Sequence, residues 1–215
     1  MADARETLDA ARGRGDARPE LLLRLASAPM PYLEGACSNP ALDEEGVALL
    51  LKNPHATQAL LLRIGRTLRW TRAYEVKRGL VRHPRGPVPL VRRFLPHLLW
   101  LDLAEAAADT RLSPIVRRHA EEALTARLPE MAEGEVVTLA RRATPGVVAE
   151  LARNRSSRVV TALLGNPRVR ERDVVRIATG EEASAETLRR VAHHPEWGRR
   201  RAVRVALLRN ARTPV

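Results

Sequence analysis

The sequence predicts an all-α fold, a succession of short helices wound into a right-handed solenoid, and three observations predict it. From Pro19 onward, Leu, Val and Ile recur at i, i+3, i+4 and i+7 in segments of about 9 to 14 residues, the period of helices with one buried stripe. No stretch shows the strict alternation, rich in Val, Ile, Thr and aromatics, of a strand. Pro54, Pro84, Pro114 and Pro145 recur at spacings of 30, 30 and 31 residues, in the range of helical repeat arrays.

Residues 1–18 are polar and rich in Arg, Asp and Gly, with one weak apolar pattern at Leu8 and Ala11. They are expected to form a frayed helix or a disordered N-terminal arm. Residues 19–215 are expected to form a single domain of about 11 to 13 short helices. Helical stretches run into Asn53-Pro54, His83-Pro84, Asn166-Pro167 and His194-Pro195. Asn tolerates the left-handed conformation that ends a helix, and proline cannot continue it but suits the first turn of the next. Ser113-Pro114 and Thr144-Pro145 mark two more boundaries. His83 and His194 sit where a cation meets a helix C-terminal dipole, and Glu44 and Glu171 where acids favour an N-terminal one. With aromatics at only 3%, aliphatic side chains fill the core.

A longer repeat underlies this punctuation. Residues 39–88 align without a gap to 166–215, an offset of 127, with 15 of 50 positions identical. Among the pairs are Asn39/Asn166, Val47/Val174, Leu61/Leu188, Trp70/Trp197, Val76/Val203, Leu80/Leu207 and Arg82/Arg209. The alignment marks an internal duplication. In its Asn-Pro boundaries and paired helices the chain resembles the HEAT-like and armadillo-like α-solenoids, and is similar to bacterial leucine-rich-repeat-variant proteins. The resemblance covers residues 19 to 215. It implies a bacterial repeat protein that acts as a scaffold. Some variant-repeat proteins carry an iron–sulfur cluster; this chain departs from them, because Cys37 stands alone. The second copy stops where the first runs on into Pro89–Leu95, so the array is expected to be open at its C-terminal end, as a fragment or a truncated natural end.

Charge narrows the partners. Lys and Arg number 37 against 25 Asp and Glu, a net +12, and only Lys52 and Lys77 are lysines. Residues 60–88 hold eight basic side chains against Glu75 alone, and residues 187–215 eight against Glu196 alone. Each segment is net +7, so the remainder nets −2. A coding bias toward Arg does not explain such clustering. On the helical wheel, Ala73, Val76 and Leu80 form an apolar stripe with Arg72 and Arg82 on the polar side and Lys77 on its other border. A groove for a polyanion therefore needs neighbouring helices.

The candidate binding residues are Trp70, Arg72, Lys77, Arg82 and Arg85 in the first copy, and Trp197, Arg199, Arg204, Arg209 and Arg212 in the second. Each Trp precedes a shared Arg by two residues, a pairing that can clamp a base or a peptide but is also what a core indole bonded to a carbonyl looks like. No catalytic residues and no metal ligands are assigned: the pair His119 and Glu122 is not a metal site, and no phosphate loop or nucleophile motif is present. No cofactor is expected.

The reading is a non-enzymatic interaction module that binds another protein. The alternative is nucleic-acid backbone binding through segments 60–88 and 187–215. Third stands a glycosylase of the HEAT-like DNA type, on the adjacency of Trp100 and Asp102. The C-terminal helix is a candidate surface for self-association. No apolar run reaches a membrane span, and no apolar signal core follows Met1, so cytoplasmic localisation without a membrane partner is expected.

Overall fold

The computed structural model describes residues 2–214, and all regular structure among them is helical. The chain divides into two compact units, residues 1–120 and 121–215. The first holds α1 (Ala2–Gly15), α2 (Arg18–Arg24), α3 (Met30–Ala36), α4 (Glu44–Leu50), α5 (Gln58–Arg66), α6 (Leu68–Thr71), α7 (Tyr74–Arg82), α8 (Val88–Phe94) and α9 (Trp100–Ala108). The unit boundary falls within α10 (Pro114–Arg127). The second unit holds α11 (Glu133–Ala140), α12 (Pro145–Leu151), α13 (Ser157–Leu164), α14 (Glu171–Thr179), α15 (Ala185–Ala192) and α16 (Arg201–Arg209).

Sixteen α-helices among the described residues exceed the expected 11 to 13, partly because the periodic stretches are broken by single extended residues. Ala73, with ψ 134°, separates α6 from α7. Arg200, 127 positions on and with ψ 128°, separates a 3₁₀ turn at Trp197–Arg199 from α16. The wheel that placed Arg72 and Arg82 on one helix therefore fails: Arg72 lies before the break.

In the first unit α1 packs on α3, α2 on α4, α4 on α7, and α7 on α8 and α9. In the second unit α11 packs on α13, α13 on α15, and α14 on α16. Aliphatic side chains dominate both cores, Leu33, Val47, Leu61, Ile64, Val76 and Leu80 in the first, and Val160, Leu163, Val174, Leu188, Val191 and Val203 in the second.

Over residues 1–18, expected to form a frayed helix or a disordered arm, the structure has helix α1 and the start of α2. Helix α1 lies close against α3 through small residues. A Cβ built on Gly13 would come within 2.2 Å of the Tyr32 carbonyl oxygen, and one on Gly35 within 2.1 Å of the Ala10 oxygen. Only glycine permits that backbone approach. The Tyr32 hydroxyl adds a hydrogen bond to Asp16, 2.7 Å. Weak amphipathicity made the segment look loose; close contact of backbones holds it.

Element bounds coincide across the offset of 127 well beyond residues 39–88. Arg18–Arg24 falls on Pro145–Leu151, just as Tyr74–Arg82 falls on Arg201–Arg209 within the aligned residues. Between residues 2–38 and 129–165 only Glu6/Glu133 and Arg14/Arg141 are identical. The buried positions nevertheless match: Leu21 with Val148, Leu25 with Ala152, Leu33 with Val160, Ala36 with Leu163.

The asparagines at the helix ends do not act as expected. No described residue has positive φ, so none ends a helix in the left-handed conformation. Each uses its side-chain amide instead. Asn39 Nδ2 donates to the carbonyls of Gly13 (3.0 Å) and Asp16 (2.8 Å), Asn53 to those of Leu25 (2.8 Å) and Ala28 (2.9 Å). Asn166 donates to Ala140 and Ala143, and Asn210 to Ala178 and Gly180. Every one also accepts, through Oδ1, the N–H two residues ahead: Ala41, His55, Arg168 and Arg212. One amide thus closes its own turn and satisfies carbonyls, 23 to 32 residues back, that a helix end leaves without intrahelical partners. Asn39 and Asn166 do this at identical offsets, 26 and 23 residues. Pro54, Pro84 and Pro167 lie in the turns that follow, while Pro114 and Pro145 open α10 and α12.

His83 takes the same role with an imidazole. Its Nε2 faces the Asn53 carbonyl at 3.1 Å, and its Nδ1 accepts the Arg85 N–H at 3.1 Å. Burial holds its pKa below the usual histidine value, and the nearby Arg85 charge acts in the same direction, against the opposing Asn53 hydrogen bond. This ring is neutral, not the dipole-capping cation expected.

Candidate functional site

The two tryptophans are core side chains, which removes them from a base-stacking role. Trp70 is 5% and Trp197 7% exposed. Trp197 Nε1 donates to the Leu164 carbonyl at 3.2 Å. At the position equivalent to Leu164, the Cys37 carbonyl is taken by Arg63 at 3.4 Å, and Trp70 Nε1 is left without a partner. The guanidiniums over the indoles are those of Arg69 and Arg200, at 5.7 and 5.8 Å from the ring centroids, not those of Arg72 and Arg199. Spacing two residues along the chain suggested the latter.

The two basic segments fall in different units and differ in how their charge is used. In the first, Arg69 donates to the Leu42 carbonyl. Arg78 Nε meets Asp102 Oδ1 at 2.7 Å, and Arg82 Nη1 meets Glu105 at 2.6 Å. Asp102, buried, also accepts the Tyr74 hydroxyl, which in turn accepts the Leu99 N–H. Burial, then the bond to Asp102, holds the Tyr74 phenol above its usual pKa. Acids of α9 thus neutralise α7, and both oxygens of Asp102 are engaged in holding the two helices together. Arg72 and Arg85 remain exposed and Lys77 half-buried.

The second segment has no such cover. Arg189 and Arg190 pair with Glu186, and Arg200 with Glu171 and Glu196. Arg199, Arg201, Arg204, Arg209 and Arg212 are exposed, and their side chains make no ion pair or hydrogen bond among the described residues. On the same helix Leu208 is 85% exposed and Val205 38%, whereas Val81, the counterpart of Leu208, is 0%. The outer face of α16 is therefore an apolar strip edged with unpaired guanidiniums. Sequence reasoning named Arg204 and Arg209 but missed Arg201, Val205 and Leu208. The available signal was the replacement of Tyr74 by Arg and of Arg78 by Val at the duplicated positions.

A second basic feature lies within the second unit, where α11, α13 and α15 line a groove of about 590 Å³. Arg141, Arg158 and Arg190 face it, with Thr161 and Gly165. Arg158 is held by Glu133 at 2.9 Å and Arg190 by Glu186 at 2.8 Å, while Arg141 pairs with no acid among the described residues. The first-unit counterparts of Arg158 and Thr161 are Pro31 and Glu34, whereas Arg141 and Arg190 have Arg14 and Arg63 as theirs, so of the three arginines Arg158 alone is peculiar to the second copy.

Cys37 is buried, and burial pushes its thiol up to about 11, so it stays un-ionised. Among the described residues no three His, Cys, Asp or Glu side chains group as metal ligands, and no helix is long and apolar enough to cross a membrane. No family model, no curated protein and no solved structure matches the chain, so its kinship rests on its own two halves.

Proposed function

We propose that the chain is a non-enzymatic interaction module, a right-handed α-solenoid of HEAT-like type grown by duplication, and that it binds another protein through α16. Coincident element bounds and the Asn39/Asn166 brackets support the duplication. The observation that carries the binding role is Leu208, a large aliphatic side chain exposed on a well-formed helix beside Val205. A contiguous exposed apolar surface with a polar rim marks interaction sites. Asp102, tied by Arg78 and Tyr74, acts as a structural anchor and lends nothing to a glycosylase reading.

The test is a photo-crosslinking residue at position 208 of the full chain, irradiated in cells. The expected result is a discrete protein adduct that disappears when Arg209→Glu is added. No adduct, or adducts unaffected by that change, overturns the reading.

A second reading, nucleic-acid backbone binding, is favoured by the groove that gathers Arg141, Arg158 and Arg190. In that case affinity for a DNA or RNA duplex falls by about 0.9 log unit per log unit of salt for each phosphate neutralised. Arg141→Glu then weakens it, and binding indifferent to both salt and Arg141 sinks this reading.

A further inference from the structure

We infer that the partner α16 receives is an amphipathic helix bearing two carboxylates at i and i+3, docked as α9 docks on α7. This rests on the protein-binding reading above and names the chemistry of its partner. Helices α7 and α16 share their bounds at the offset of 127, and each packs on its counterpart neighbour, α4 or α14. What differs is the opposite face. On α7 it is covered by α8 and α9; Val81 is fully buried, and the Asp102 and Glu105 carboxylates, three residues apart on α9, meet Arg78 and Arg82.

On α16 the donors at both ends of that face are kept. Arg201 stands in the place of Tyr74, the hydroxyl that binds Asp102, and Arg209 in the place of Arg82, which binds Glu105. Between them Val205 replaces Arg78 and Leu208 replaces Val81, so the middle of the face has become more apolar, while its two ends, a phenol and a guanidinium on α7, are both guanidiniums on α16. Unpaired guanidiniums flanking exposed aliphatic side chains match a ligand that presents paired acids on either side of small apolar residues. Asp102-Leu103-Ala104-Glu105 within α9 is that pattern. A duplex backbone satisfies the arginines but leaves Leu208 and Val205 in water. An acidic helix satisfies both.

The chain supplies its own probe. A fluorescent peptide of residues 97–112, which contains α9, is titrated with the full-length protein and followed by anisotropy. Saturable binding is expected, weakened at least about tenfold, or about 1.4 kcal/mol, by Leu208→Glu and by Arg209→Glu. Both side chains lie on the surface, and unchanged thermal melts confirm that these variants fold. A peptide carrying Glu105→Arg should bind the Arg209→Glu protein better than it binds the unaltered one, a charge swap that a merely sticky peptide does not reproduce. No binding of the unaltered peptide, or binding indifferent to both substitutions, overturns the inference. So does self-association in sedimentation that Leu208→Glu abolishes, which makes a second copy the occupant. A protein adduct at position 208 with no peptide binding removes the acidic helix and leaves the interaction module standing. Loss of both removes both.

Discussion

Replacing Asn53 with Ala is expected to cost about 3 kcal/mol, a fall of roughly 6–12 °C in Tm for a chain of this size. The side chain is fully buried, and its amide donates to two carbonyls while accepting the His55 N–H. Truncation leaves the Leu25 and Ala28 oxygens inside the first unit with no donor, and the desolvation cost of buried unpaired carbonyls exceeds the modest net value of the bonds themselves. Asn53→Asp should be worse than Ala despite its near-identical shape, because it sets a buried carboxylate against two carbonyl oxygens. Asn154→Ala is the control. Among the described residues its side chain accepts only the local Ser156 N–H, so its cost should stay below about 1 kcal/mol. Thermal melts of the three variants check the order, and an Asn53→Ala protein as stable as the parent refutes the bracket.

His83→Ala should cost about 2–3 kcal/mol, since it empties a buried site and strands the Asn53 carbonyl and the Arg85 N–H. His83→Asn should restore much of that loss, because Asn210 occupies the equivalent position and accepts the Arg212 N–H. The pair also separates a pH effect. The folded-state pKa of His83 lies below the unfolded value of about 6.5, chiefly through burial. The unfolded chain therefore takes up a proton first as pH falls. The stability from the neutral ring is fully present above pH of about 6.5 and is lost as pH drops through the folded pKa. The parent should lose Tm below that pH faster than His83→Asn does. Parallel curves would show that the ring does not titrate between the two states.

Local pattern carried much of the fold. The 3.6-residue period and the proline punctuation located helices, and the offset of 127 showed in 15 identities. The same offset went unseen before residue 39, where side chains diverged but buried positions did not. A core requires apolar volume rather than identity. The helix-end asparagines were visible, but their use was not. A left-handed cap is a local property, whereas a bond to a carbonyl 28 residues earlier depends on which helices become neighbours. Charge was misleading for the same reason. Two segments with equal formal charge differ in surface because α9 supplies Asp102 and Glu105 to one of them. Trp70 and Trp197 read as ligands or as core until burial decided it.

The asparagine brackets have a consequence for how such a chain changes over generations. Each amide addresses main-chain oxygens, which every residue possesses, and ignores the side chains around them. The joint between successive helix pairs is therefore blind to sequence: Gly13 and Asp16 serve Asn39 as well as Ala140 and Ala143 serve Asn166. A copied block fits onto its neighbour from the moment it is copied, with no matching pair of side chains to evolve in step. Its outward residues are then free to drift toward different surfaces. Within one chain that freedom has yielded a helix face sealed by Asp102 and Glu105 and another that bears Arg201, Leu208 and Arg209 to the solvent.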